Sequence, residues 1–317
     1  MIYTFLPYLK SVIWGGEKIK ALKGIVTDQE CIGESWEISG VPGHESVVAD
    51  GNDKGMKLPE LIDKYKGDLV GKEVYARFGN KFPLLVKIID AKQDLSVQVH
   101  PDDALAEKRH NSLGKTEMWY IMDTDKDAKI YAGLSEQIDP DKYTELVAEN
   151  KIMDVIAKHD SHPGDLFFLP AGRIHAIGAG NLLAEIQETS DITYRVYDFD
   201  RRDAQGNPRE LHTELAKDAI DYTVYPSYTS DYDRQAKGET ELVKCPYFIV
   251  DRVAVEGETP LRHSSESFTI VMCLDGDCTI ESDGERLHMR PGMTALVSAS
   301  AVTLSADGLA TLITARI

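Results

Sequence analysis

Apolar residues along this chain come mostly in short runs. They are rich in Val, Ile, Leu and aromatics, and Gly, Pro, Asp or Asn breaks them. Runs of this length and punctuation predict β-strands. The clearest cover residues 82–89, 95–99, 118–122, 166–169 and 182–187. A second series covers 248–255, 268–274, 278–282, 294–298 and 310–315. Apolar positions at helical spacing predict helices over 58–78 and 140–159, the second with Asp139 as N-cap, and a short one over 213–219. The polar stretch 222–238 has no period and reads as a surface linker. The expected architecture is mainly β. Two β-barrel (jelly-roll) domains span 1–235 and 236–317, with a few helices packed on the first.

Alternation within the strands brings polar groups together. In Leu95-Ser96-Val97-Gln98-Val99-His100-Pro101, residues Ser96, Gln98 and His100 share one face and the apolar residues take the other. Pro101 ends the strand, since it has no N–H to donate. In Gly114-Lys115-Thr116-Glu117, Lys115 and Glu117 share a face. His175 follows a turn built by Pro170 and Gly172. Two imidazoles and a carboxylate suit a borderline divalent ion, and zinc is the expected metal, one per chain, held by His100, Glu117 and His175. Gln98 offers a fourth contact through its amide oxygen. An exchangeable position is what a catalytic metal needs.

The segment Gly164 to His175 has a partial second copy from Gly292 to Thr303. There Pro170, Gly172 and His175 are replaced by Ser298, Ser300 and Thr303, and Glu117 aligns with Glu266. The C-terminal domain is therefore expected to keep the barrel without metal ligands. A dense polar stretch, Glu185 to Asp198, follows the His175 strand closely. Alternation puts Glu185 and Gln187 on one strand face, with Asp191 and Arg195 in the loop beyond.

Composition narrows the function. The net charge of −18 argues against nucleic acid and anionic membranes as partners, because both need a basic face. An anionic small molecule is still allowed if positive charge is concentrated locally. Four cysteines without a C-x-x-C pair, no apolar run long enough to span a bilayer, and no secretory signal pattern at residues 1–7 point to a cytoplasmic protein.

The G-x5-P-x-G-x2-H spacing matches the second motif of the cupin barrels. Leu95 to Asp102, Gly114 to Glu117, Pro170 to His175 and Thr193 to Asp198 resemble the type I phosphomannose isomerases. Trp14-Gly15-Gly16 and Gly33 to Ser39 fit the same family. The resemblance implies a zinc-dependent aldose–ketose isomerase that interconverts mannose 6-phosphate and fructose 6-phosphate through a cis-enediol. It places the zinc ligands on Gln98, His100, Glu117 and His175, the catalytic arginine on Arg195 and the active-site lysine on Lys115. Ser96, Glu185 and Asp191 fall on positions of the substrate pocket. One departure is Thr116, where many members carry proline.

On that reading Glu185 is the candidate for carbon-bound proton transfer, and Arg195 stabilises charge. Lys115 and Ser96 are candidates for phosphate and sugar-oxygen contacts. A monomer or weak homo-oligomer is expected. Two other readings share the ligand pattern: an Fe(II) cupin dioxygenase, and a noncatalytic sugar-binding cupin.

Overall fold

The computed structural model describes residues 1–202 and 206–317, of which 41% is strand and 17% helix. The mainly β expectation holds. A six-stranded sheet runs in the order Leu166–Leu169, Glu117–Thr124, Asn181–Glu188, Leu84–Ala91, Tyr8–Gly16, Ile32–Ile38. A five-stranded sheet runs Tyr194–Tyr197, Val97–Val99, His175–Ile177, Lys129–Leu134, Ile156–Asp160. These are two separate sheets, and the arrangement is jelly-roll-like rather than a closed barrel. Trp119, Ile121, Leu183 and Ile89 from the first meet Ile130, Ala132 and Ile177 from the second in a dry interior. Burying such apolar side chains stabilises each by roughly 1.5–3 kcal/mol.

A nine-stranded sheet holds the strands from Gly238–Lys244 to Ser305–Arg316. The first strand of the chain, Ile2–Leu6, also joins it, pairing with Thr294–Val297. The third sheet covers the outer face of the six-stranded one. Leu84, Val86, Ile88, Ala184 and Ile186 pack in one cluster with Phe268, Ile270 and Met272, and the Phe82 and Phe268 rings lie 4.6 Å apart. This explains why Leu84–Ala91 and Asn181–Glu188 are buried at every position instead of alternating.

The helices are shorter than the periodicity predicts. Residues 58–78 form three pieces, Leu58–Tyr65, Gly67–Val70 and Lys72–Phe78. Gly71 breaks the run with φ +97°, and a Cβ there would meet Glu266 O at 2.0 Å. The break lets the segment dock on the third sheet, where Ala299 N donates to Leu69 O at 2.8 Å. The helix predicted over 140–159 stops at Ala148. Asp139 caps its start as expected, accepting from Lys142 N at 2.7 Å, and Pro140 takes the first turn. Asn150 then turns to positive φ, and Ile156–Asp160 is a strand paired with Lys129–Leu134. Strand pairing won over the local helical spacing of Val155 and Ile156. The short helix Thr213–Ala219 forms as predicted. The strands predicted over 268–274 and 278–282 are one, Thr269–Ser282, bulged between Cys273 and Asp275. Among the described residues no helix is long and apolar enough to cross a membrane.

The partial repeat has a structural register. Leu166–Leu169 pairs with the Glu117 strand so that Leu169 faces Glu117. Thr294–Val297 pairs with Thr269–Ser282 so that Val297 faces Thr269. The counterpart of Glu117 is therefore Thr269, not Glu266, which corrects the sequence alignment by three residues. Thr269 Oγ1 lies 2.8 Å from His263 Nδ1, and the Thr303 hydroxyl donates to Asp283 at 3.1 Å.

Candidate metal centre and substrate cavity

The polar end of the jelly roll draws on both facing sheets. Glu117 opens a strand of the six-stranded sheet, and His175 opens a strand of the five-stranded one, opposite Gln98. His100 stands just beyond the Val97–Val99 strand, and Gly172 N ties its carbonyl to the turn before His175 at 2.9 Å. One ligand atom each from His100, Glu117 and His175 lies within 4.8 Å of the others, all three residues being buried.

Hydrogen bonds fix which ring nitrogens face the centre. His100 Nδ1 lies 2.9 Å from Ile192 O, and His175 Nδ1 lies 2.7 Å from Arg173 O. Each carbonyl can only accept, so each Nδ1 carries the proton and each Nε2 presents a lone pair inward. Burial and the Lys115 ammonium hold both imidazoles neutral: His100 falls well below its ordinary value and His175 falls to about 3. Glu117 Oε1 is buried with no hydrogen-bond partner and lies 3.3 Å from His175 Nε2. Converging acceptors with an orphaned oxygen repel one another unless a cation sits between them. The Lys115 ammonium already behaves as a stand-in. It bonds Glu117 Oε2 and lies 3.1 Å from His100 Nε2. The donor set therefore fits a divalent ion. The Gln98 amide lies beside it, its Nε2 3.4 Å from His175 Nε2, and turning the amide would present its oxygen instead.

A cavity of about 400 Å³ opens beside these residues. Ser96, Gln98, Lys115, Glu185, Asp191 and Arg195 all line it, so every sequence-predicted residue of the substrate pocket converges there. One detail differs from expectation. Arg195 lies on the strand Tyr194–Tyr197, paired with Gln98, not in the loop. Lys115 reaches the ligand set, bonding Glu117 Oε2 and lying beside His100 Nε2. The Arg195 guanidinium donates to Glu210 O at 2.8 Å, and its Nε is buried without a partner. Burial, reinforced by Arg209, lowers its pKa from the usual arginine value.

The sequence reading missed a row of residues across the six-stranded sheet. Trp36, Lys87, Glu185 and Trp119 are successive cross-strand partners. Glu185 Oε1 accepts from Lys87 Nζ at 2.9 Å and Oε2 from Trp119 Nε1 at 2.8 Å. Burial alone would raise the Glu185 carboxyl, but Lys87, Lys115 and these two bonds outweigh it and hold it below the ordinary value. Glu117 moves the other way, pushed up by burial and by Glu185. Lys10, Lys87, Lys115, Arg195 and Arg209 face Glu34, Glu185 and Asp191 around the cavity. Five cations against three carboxylates give the locally positive site that a chain of charge −18 requires.

Residues 3–145 match the catalytic domain of type I phosphomannose isomerase, and residues 238–317 match the mannose-6-phosphate isomerase cupin domain. The chain is 37% identical over 276 residues to the mannose-6-phosphate isomerase ManA of Bacillus subtilis, covering 86% of this chain and 85% of that one. It belongs to the type I phosphomannose isomerase family. The mannose-6-phosphate isomerase of Streptococcus mutans is 36% identical over 281 residues, covering 88% and 87%. The crystal structure of the mannose 6-phosphate isomerase from Bacillus subtilis superposes with TM-score 0.88 at 33% identity, covering 100% of this chain and 99% of that one. The apo form from Salmonella typhimurium, at 17% identity and TM-score 0.80 over 99% and 98%, shares the fold. As a member of the phosphomannose isomerases the chain is an isomerase enzyme. Lys87 and Trp36 sit in strands buried at every position, so alternation could not single them out. What was missing was the pairing of those strands.

Proposed function

We propose that this phosphomannose isomerase interconverts mannose 6-phosphate and fructose 6-phosphate through a cis-enediol, with one zinc ion held by Gln98, His100, Glu117 and His175. The observation that carries the metal assignment is the orphaned Glu117 oxygen facing two inward imidazole lone pairs. Zinc would supply Lewis-acid stabilisation of charge on the sugar oxygens. The ligand set belongs to residues 1–235, and residues 236–317 form the accompanying domain.

The protein residues divide the remaining work. Arg195 and Arg209, which line the cavity with Lys10, supply the charge that holds a phosphate. Ser96 and Asp191 orient sugar hydroxyls. Lys115 adds positive charge next to the reacting carbons. Glu185 is the carboxylate assigned to carbon-bound proton transfer. Both its oxygens are engaged and its basicity is low while Lys87 holds it, so it acts as a base only when Lys87 turns toward the substrate.

An Fe(II) dioxygenase would use the same three ligands, but it has no need of five cations around the cavity. Turnover of mannose 6-phosphate in an assay coupled to fructose 6-phosphate consumption tests the proposal. Conversion without oxygen uptake is expected. Oxygen consumption, or binding without conversion, would reject it.

A further inference from the structure

Thr116 stands between Lys115 and Glu117, and it carries three bonds to two other parts of the site. Its amide donates to Glu188 Oε2 at 2.7 Å. Its carbonyl accepts from Glu188 N at 3.1 Å. Its hydroxyl accepts from Ala171 N at 3.3 Å, in the turn that leads to His175. Thr116 and Glu188 are both buried.

The bond from the Thr116 amide is unusual for its place in the sheet. The ladder between the Glu117 and Glu185 strands pairs Gln187 with Glu117, so the next pair outward is Thr116 with Glu188. An ordinary antiparallel pair would exchange two backbone bonds. Here only one is backbone. The Glu188 carbonyl has turned away, accepting from Ser190 N at 2.7 Å and from the Gln187 side-chain Nε2 at 2.8 Å. Its carboxyl group takes the place of that carbonyl. The segment is tied on its other side too, where Gly114 N donates to Asp103 Oδ1 at 2.8 Å and Lys115 N to Pro101 O at 3.2 Å. Asp103 and Pro101 belong to the stretch that follows His100.

We infer that Glu188 is a positioning residue of the isomerase: through the Thr116 amide it sets the segment bearing Lys115 and Glu117 against those bearing His100 and His175. Neither Glu188 nor Thr116 lines the substrate cavity, so the pair acts through its neighbours. The inference rests on the isomerase reading only in its kinetic readout.

The test is a double-mutant cycle. Glu188→Ala removes the acceptor. Thr116→Pro removes the amide hydrogen, and Thr116→Val keeps that amide while removing the hydroxyl's contacts with Ala171 and Glu188. Loss of an outer hydrogen-bond partner typically costs 10–100-fold. Glu188→Ala and Thr116→Pro should each lower kcat roughly tenfold, with KM changed by less than about twofold. The double variant should be no worse than the poorer single. Glu188→Gln, which keeps an acceptor for the amide, should recover kcat to within about threefold of wild type. Zinc affinity of the apoprotein by chelator competition should fall in the same non-additive pattern.

Multiplicative losses in the double variant would overturn the inference, as would a Glu188→Gln variant as slow as Glu188→Ala. So would a lowered Tm with unchanged kcat, the mark of a merely structural role. Amide hydrogen exchange over residues 114–117, read on the same variants, keeps the test independent of the reaction. Faster exchange in Glu188→Ala that Thr116→Pro does not add to supports the inference, and unchanged exchange overturns it. A wild-type protein that turns over no mannose 6-phosphate would reject the proposed function alone.

Discussion

Glu185 stands directly across the antiparallel ladder from Lys87, and its Oε1 holds the Lys87 ammonium at 2.9 Å. Both side chains are buried. The pair sits at the wall of the substrate cavity, where each charge is compensated mainly by the other. Removing one partner of a buried pair leaves the other uncompensated. Lys87→Met is expected to destabilise the protein by about 3 kcal/mol, read as a lower urea midpoint. Combining it with Glu185→Gln should restore much of that loss. A single variant as stable as wild type would show that the pair is not energetically coupled.

The same contact decides how Glu185 can act. A carboxylate held below its ordinary pKa is a weak base until its cation moves. With Glu185→Gln, solvent deuterium should enter C1 or C2 of the product at least 100-fold more slowly, a loss in the usual range for one general base. Exchange at the wild-type rate would remove Glu185 from proton transfer.

The two cavity arginines should separate kinetically. Arg195 pairs with Gln98 in the sheet and has an unpartnered buried Nε. Arg209 is tied to Asp198, its Nε 2.7 Å from Oδ2. Arg195→Ala should lower kcat while zinc stays at one per chain. Arg209→Ala should act on KM for mannose 6-phosphate, by roughly tenfold for one lost charged hydrogen bond. Steady-state kinetics with metal analysis checks both. Loss of zinc in Arg195→Ala would place that residue among the ligands' supports.

Glu188 gives a pH signature. Burial, partly offset by the Thr116 amide and reinforced by Asp103, pushes its carboxyl up to about 7 from an ordinary 4.5. Between those two values the unfolded chain gives up the proton before the folded one does. The folded state then binds more protons, so stability falls as pH rises through that window. The full effect, present above pH 7, is about 3 kcal/mol at most. Glu188→Gln should therefore be more stable than wild type at pH 8 and close to it at pH 4.5, by thermal or urea unfolding. An equal difference at both pH values would contradict this.

The His100, Glu117 and His175 cluster was legible in the sequence because local geometry encodes it. Strand alternation alone aligned Ser96, Gln98 and His100, and a turn with fixed Pro170 and Gly172 spacing delivered His175. Arg209 reaches the cavity from a non-strand segment tied to Asp198, and Lys87 and Trp36 reach it only through cross-strand pairing, so none was legible as a site residue. The overlong helix at 140–159 failed for the same reason. Ile156 fits a helical face locally, yet the segment pairs with Lys129–Leu134. In the repeat, Glu266 looked like the partner of Glu117 because both precede an aromatic residue. Ladder register, which sequence does not display, gives that place to Thr269. Thr116 drew notice as a departure from a family pattern, but its bond to Glu188 depends on a carbonyl turning away from the ladder.

The measurement closest to the central claim is zinc content together with mannose 6-phosphate turnover in wild type and in Glu117→Ala. In the proposed site Glu117 is the one anionic ligand, and its buried Oε1 has no hydrogen-bond partner. Wild type should carry one zinc per chain and isomerise mannose 6-phosphate, and Glu117→Ala should lose both together. A Glu117→Ala protein that keeps stoichiometric zinc, or an active wild type that stays active after its metal is stripped, would contradict the assignment.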